Sequence, residues 1–110
     1  MAIRQATLKD IKQIQHIRNA VNENMLSDPS LVTDEAVIEY ITRRGRGWVY
    51  EMEGIITGFS IISLLDQNVW ALFVHPDFER KGIGRLLHDE MMMWYFENTD
   101  KPVWLSTSPG

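Results

Sequence analysis

The chain has 110 residues, 45% of them hydrophobic and 24% charged, a balance that fits one soluble globular domain. Its formal net charge of −4 argues against broad nucleic-acid binding, and the absence of cysteine excludes disulfides, thiolate metal sites and a cysteine nucleophile. No apolar run reaches membrane-spanning length and no signal-peptide core opens the chain, so the expectation is a cytoplasmic protein with no membrane or nucleic-acid partner.

Residues 2–6, anchored by Ile3, read as a first edge strand. Thr7 and Asp10 have the spacing of a capping box, with Asp in place of the preferred Glu. Leu8, Ile11, Ile14, Ile17 and Val21 recur at three- and four-residue steps, which predicts one apolar stripe on a helix from Thr7 to about Asn24. His16 falls near the polar side and reads as a solvated residue. Ser27-Asp28-Pro29-Ser30 marks residues 25–32 as a loop. Thr33 is placed to cap a second helix, with Asp34 and Glu35 in its first turn and Val37, Ile38 and Ile41 on its apolar side. That helix ends around Arg43-Arg44-Gly45. Arg43, Arg44 and Arg46 form a basic cluster that suits a phosphate, but more simply suits the negative end of a helix dipole.

Residues 47–53 alternate and carry Trp48, Val49, Tyr50 and Met52, so they read as a strand ending at the hairpin turn Glu53-Gly54. Residues 55–65 return as a longer strand, in which Gly58 predicts a bulge or a close backbone contact. Asp66-Gln67-Asn68 is a second turn, and residues 69–74 are the third strand of the meander.

The chain is organised around residues 69–94, VWALFVHPDFERKGIGRLLHDEMMMW. An apolar strand stops at His75-Pro76, and a polar loop carries Asp77, Glu79, Arg80 and Lys81. Gly82 and Gly84 then open a helix with Leu86, Leu87, Met91, Trp94 and Tyr95 on one face. Trp94 and Tyr95 read as core rather than catalytic, and Met91, Met92 and Met93 as adaptable packing. A helix start presents unbonded N–H groups and the positive end of its dipole. Glycines let a ligand approach the backbone, and Arg80, Lys81 and Arg85 add positive charge. This is the chemistry of a phosphate or pyrophosphate site. Two common phosphate loops fail on the letters: Gly84 is followed by Arg85-Leu86 rather than Lys-Ser/Thr, and Leu87 stands where a dinucleotide fingerprint needs Gly or Ala. Asn98-Thr99-Asp100 ends the helix near Glu97, and residues 103–106 read as a final strand parallel to residues 69–74.

The segment VHPDFERKGIGRLL resembles the acetyl-coenzyme A signature of the GNAT acetyltransferase superfamily, R/Q-x-x-G-x-G/A, which joins the fourth strand to the third helix. Glu79 stands where the family usually has Arg or Gln, which removes one side-chain contribution and leaves the backbone cradle. The predicted order β-α-α-β-β-β-α-β fits the same resemblance. The fold class is therefore α/β, a mixed sheet of the GNAT-like acyl-coenzyme A N-acyltransferase type. One domain spans residues 1–110 and corresponds to the first two-thirds of the usual fold, cut short at the C-terminus. The family's later segment commonly carries the tyrosine that protonates the departing thiolate. The chain reads as a natural short form, a fragment, or a unit completed by a second subunit. An exposed last strand predicts a homodimer or an aggregation-prone monomer.

The resemblance implies acetyl-coenzyme A as cosubstrate and no metal. It implies a pantetheine arm lying along Leu72, Phe73 and Val74, and a pyrophosphate on Arg80, Lys81, Gly82, Ile83, Gly84 and Arg85. It also implies a backbone N–H near Val74 as donor to the thioester carbonyl, and places residues 24–32 beside the acceptor. The implied reaction is acetyl transfer to the primary amine of a small molecule or peptide. Glu51, Glu53 and His75 have the chemistry of a general base. Two other classes stay open: an acyl-coenzyme A-binding module without catalysis, and a regulatory domain that binds a partner through its last strand.

Overall fold

The computed structural model describes residues 2–21 and 33–105. A meander of four antiparallel strands forms the body of the sheet: β1 (Ala2–Gln5), β2 (Gly45–Met52), β3 (Ile55–Ser63) and β4 (Asn68–Val74). The fifth strand, β5 (Trp104–Leu105), lies parallel to β4, with Asn68 opposite Trp104 and Val69 opposite Leu105. The expected mixed sheet and element order are thus present. The parallel closing pair follows from the helix that carries the chain from β4 back to β5.

Helices cover both faces. On one face lie α1 (Ile11–Val21) and α2 (Asp34–Glu39), and on the other α3 (Ile83–Asn98). Neither short helix would persist alone in water. Ile14, Ile17, Val37 and Ile41 bury against Val49, Phe59 and Ile61 of the sheet, which holds them. On the far face Ile83, Leu87, Met91 and Tyr95 pack on Trp48, Tyr50 and Ile62. Burying one such aliphatic side chain contributes about 1.5–3 kcal/mol.

Three local expectations change. The first helix does not begin as an α-helix at Thr7. Leu8–Asp10 is a 3-10 turn, and α1 starts at Ile11. That tighter turn rotates Leu8 off the apolar stripe, and it is exposed. Asp10 still works as the capping residue: its carboxylate accepts the Thr7 N–H at 2.8 Å and takes a fork of two hydrogen bonds from Arg4 at 2.8 and 2.9 Å. The second helix is interrupted, with α2 passing into a π-turn over Tyr40–Arg44. Leu86 and Met93 face outward on α3, so the buried stripe is Ile83, Leu87, Met91 and Tyr95 at four-residue steps. The core role read for Tyr95 holds, and its hydroxyl donates to the Pro102 carbonyl at 3.1 Å. The expected loop at residues 25–32, the helix end near Asn24 and the strand end at Ser106 lie outside the described residues.

Candidate functional site

Two bulges shape the centre of the sheet. Tyr50 pairs with Gly58 and Glu51 with Ile56, which leaves Thr57 as the extra residue. Ile61 pairs with Ala71 and Ile62 with Val69, which leaves Trp70 unopposed in β4. Gly58 fulfils both of its readings. It borders the first bulge, and a Cβ there would stand 3.0 Å from Leu87 and 3.1 Å from Ile83. The missing side chain lets the first turns of α3 seat directly on β3. The start of α3 is thereby fixed against the end of β4.

The backbone direction of β4 follows from one bond. The His75 N–H donates to the Thr57 carbonyl at 2.8 Å. Facing pairs in an antiparallel ladder alternate between bonded and non-bonded, so Phe73 spends its N–H and C=O on Phe59. Leu72 and Val74 aim theirs the opposite way, toward the β5 side. There the described pairing stops at Val69. Of the three residues expected to offer a strand edge, Leu72 and Val74 direct their polar groups away from β3, and Phe73 directs its own toward β3.

That edge runs into the glycine loop. Pro76–Phe78 makes one 3-10 turn, Arg80 and Gly82 both adopt left-handed backbone with φ of 66° and 80°, and Gly82 is the N-cap of α3. Glycine takes that conformation without strain, and Gly82 turns the chain into the helix. No described side chain caps α3. The Leu86 N–H is the first to bond back, to the Gly82 carbonyl at 3.1 Å, so the amides of Ile83, Gly84 and Arg85 have no intrahelical acceptor. A Cβ on Gly84 would lie 3.5 Å from Val74, so the floor of the loop touches the end of β4. Arg80, Lys81 and Arg85 are exposed around it. An extended chain lying on β4 and a doubly charged phosphate group at its end fit this arrangement. Unbonded amides and a helix start favour an anion, and three exposed cations surround the same point.

The base candidates are less well placed. Glu51 accepts from Arg4 at 2.9 Å on β2, two strands away from β4. Glu53 is exposed at the hairpin tip, with φ of 52°. The His75 ring packs on Phe78 and stacks on His16 at 5.9 Å between centroids, while His16 stays exposed as expected. Its Nδ1 accepts the Asp77 N–H at 3.1 Å. In a neutral ring this leaves the proton on Nε2, so neither nitrogen offers a lone pair to a substrate. The basic cluster is also committed in part. Arg44 pairs with Glu39 at 2.6 Å and Asp66 at 3.1 Å, Arg46 lies 5.0 Å over the Trp94 ring, and Arg43 is exposed.

An arrangement missed in the sequence sits at the other end of β4. Tyr40 stacks on Trp70 at 4.1 Å and 7° between planes, with Arg44 5.7 Å over the Tyr40 ring. Glu35, Glu39, Tyr40, Arg44 and Asp66 line a groove of about 560 Å³ beside them. The i, i+4 pair Glu35 and Glu39 was the available signal, but nothing local joins it to Asp66.

A meander closed by one parallel strand, with an uncapped glycine-led helix after β4, is the architecture that the comparisons match. Residues 11–110 match the acetyltransferase (GNAT) family, and the chain belongs to it. No curated protein sequence matches the chain. Solved structures do. The BH1408 protein of Bacillus halodurans, as a tetramutant, superposes with a TM-score of 0.82 at 18% identity, over 98% of this chain and 83% of its own. A ribosomal-protein-alanine N-acetyltransferase of Brucella melitensis gives 0.71 at 24% identity, over 88% and 68%. The aminoglycoside N-acetyltransferase AAC(6')-Iy in complex with coenzyme A gives 0.72 at 17% identity, over 98% and 77%. Likeness at these identities establishes the fold. Among the described residues, no helix is long and apolar enough to cross a membrane.

Proposed function

We propose that this chain transfers the acetyl group of acetyl-coenzyme A to a primary amine. One observation carries the reading: Leu72 and Val74, whose polar groups point away from β3, lead into the uncapped amides of Ile83, Gly84 and Arg85. In this reading Leu72 and Val74 pair with the pantetheine amides as an added strand would, and Arg80 to Arg85 hold the pyrophosphate. The cosubstrate supplies an activated thioester carbonyl. The Val74 N–H, directed away from β3, is the donor we assign to the negative charge that develops on that carbonyl. The amine nitrogen bonds to the carbonyl carbon, the carbon–sulfur bond breaks, one proton leaves the nitrogen and one reaches the thiolate. Of the base candidates, Glu53 alone carries no described partner, and water relaying the proton from the amine is the simpler route. Membership in a family of acetyltransferases and likeness to a coenzyme A-bound fold support this. An amine acceptor, whether aminoglycoside or protein, is in keeping with the neighbours' own names. The reading includes a cytoplasmic location and, as a separate point checked by sedimentation, pairing of two copies along the outer edge of β5.

A second reading keeps the cofactor site and drops the chemistry. It is favoured by Glu51, whose Oε1 accepts from Arg4, and by His75, whose Nδ1 accepts the Asp77 N–H. Calorimetric titration with acetyl-coenzyme A, followed by turnover with a panel of amines, separates the two. Binding with turnover supports the enzyme, and binding without turnover supports the module. A folded chain that binds no acetyl-coenzyme A overturns both.

A further inference from the structure

The end of β4 is held by more than its own ladder. In β3 the extra residue Thr57 stands between Ile56 and Gly58, and all three are buried. The Thr57 carbonyl accepts the His75 N–H at 2.8 Å, and its hydroxyl donates to the Tyr50 carbonyl at 3.3 Å. His75 directly follows Val74, so the place of the Thr57 carbonyl decides where the last residue of β4 lies. A bulge disrupts the ladder and lets its strand bend. The geometry at Thr57 therefore depends on what else grips the bulge.

That grip comes from α1. The Ile56 N–H donates to the Gln13 side-chain oxygen at 3.1 Å, a contact across 43 residues. A glutamine on the outer side of a helix has water available to it, yet this one reaches the backbone of β3 beside the bulge. Three residues on, and so on a neighbouring part of the same helix surface, His16 stacks on the His75 ring with 19° between planes. The two contacts reach both partners of one hydrogen bond: Ile56 adjoins Thr57, and His75 is the donor. The helix that makes them is itself fixed, because Ile11, Ile14 and Ile17 are buried against the sheet. Support from a packed element is what holds a reacting group in register.

We infer that Gln13 is a positioning residue for acetyl transfer: from α1 it fixes the bulge at Thr57, and through the Thr57 carbonyl it sets Val74 and the direction of the Val74 N–H. This rests on the acetyl-transfer reading for the role of that N–H, though not for the hold on β4. His16 has a smaller share, since its ring meets the His75 side chain and not the backbone bond. Loss of Gln13 acts on the step in which charge develops on the carbonyl. It leaves the amides at the start of α3 in place, because burial of Ile83 and Leu87 holds them.

The test begins without coenzyme A. Amide hydrogen exchange is followed by NMR on the full chain, with thermal melts confirming that each variant folds. Gln13→Met, close in size but without an oxygen acceptor, is expected to speed exchange at Ile56 and His75 about fivefold more than at Met91 in the buried stripe of α3. Gln13→Glu, which keeps an acceptor oxygen, and His16→Ala are each expected to stay within about twofold of wild type. A rise shared equally by Met91 is general loss of stability and overturns the inference, as do no rise at all and an equal rise in His16→Ala. With acetyl-coenzyme A and an amine that the wild type turns over, Gln13→Met is expected to lower kcat about fivefold, with KM for acetyl-coenzyme A within about twofold and kcat restored in Gln13→Glu. An unchanged kcat, or a loss carried by KM alone, overturns the positioning role while acetyl transfer stands. Exchange that follows the variants in a chain that turns over no amine upholds the hold on β4 and removes the acetyl-transfer reading instead.

Discussion

At the C-terminal end of β4 the unbonded polar groups belong to the backbone, and at its N-terminal end the polar groups gathered together belong to side chains. The glycine loop offers amides of Ile83, Gly84 and Arg85, whose positions follow from the course of α3 and not from residue identity. The groove offers carboxylates and an aromatic ring brought together from α2, the π-turn and the β3–β4 turn. A backbone site tolerates changes in charge, such as Glu79 in the place of Arg or Gln, but tolerates little added bulk. A side-chain site tolerates bulk better and loses its selectivity with each charge.

The sharpest way to break that contrast is bulk at Gly84. Gly84→Trp is expected to lower acetyl-coenzyme A affinity more than about 100-fold, or about 2.7 kcal/mol, with no more than a small change in melting temperature. Gly84→Ala, whose Cβ meets Val74 at an ordinary 3.5 Å, is expected to bind within about threefold of wild type. Titration calorimetry checks both. If Trp at this position binds normally, the loop is not the pyrophosphate site.

Next comes the seat of the loop. Leu87 is fully buried beneath α3, beside Gly58. Leu87→Ala is expected to cost about 2–5 kcal/mol in urea unfolding and to weaken acetyl-coenzyme A as well, because α3 loses its purchase on β3. At the other end, Tyr40→Ala removes a ring stack worth about 0.5–1.5 kcal/mol beyond its area, and acetyl-coenzyme A affinity is expected to stay unchanged. Equal losses of cofactor binding in the two variants would mean that the ends of β4 are not independent.

The start of α1 provides a reference remote from both ends. Asp10→Ala is expected to cost about 1–2 kcal/mol through loss of the cap. Hydrogen bonds from Arg4, with a smaller share from the Thr7 N–H, hold the Asp10 carboxyl below its ordinary value of 3.8. The folded state therefore binds this proton less tightly than the unfolded one. The contribution is full above that ordinary value and disappears as the pH falls through the lower folded value. Denaturation followed from pH 6 to 2 should show a steeper loss in wild type than in Asp10→Asn.

The smallest effect is expected at His75. With Nδ1 engaged by the Asp77 N–H, His75→Gln should leave the pH–rate profile of amine acetylation in place and change kcat/KM less than about threefold. Loss of the acid limb of that profile would restore His75 as the base.

The difference between the ends of β4 is also a difference in legibility. His75-Pro76 ending a strand, two glycines and an apolar four-residue period all lie within one stretch, and each acts on its own neighbours. That is why the strand, loop and helix were readable before any contact was known. The groove joins Glu39 and Arg44, five apart, to Asp66, 22 residues further on. No local rule connects these residues. Five is the spacing of a π-turn, which an α-helical period does not anticipate. Leu8 and Leu86 failed for related reasons, one by a 3-10 turn and the other because neighbouring Leu87 took the buried position.

The sequence by itself determined the order of strands and helices, the parallel return to β4, the buried roles of Tyr95 and the α1 stripe from Ile11 to Ile17, and the glycine turn that opens α3. Each depends on backbone preferences and periodicities that act over a few residues. Only the tertiary structure decided that Leu72 and Val74, and not Phe73, direct their polar groups away from β3, since a ladder's alternation is set by its register with β3. It alone engaged Glu51 with Arg4 and His75 with Asp77, and it alone gathered three carboxylates around Tyr40. Side chains distant in sequence meet only when packing of the two cores has placed the elements that carry them.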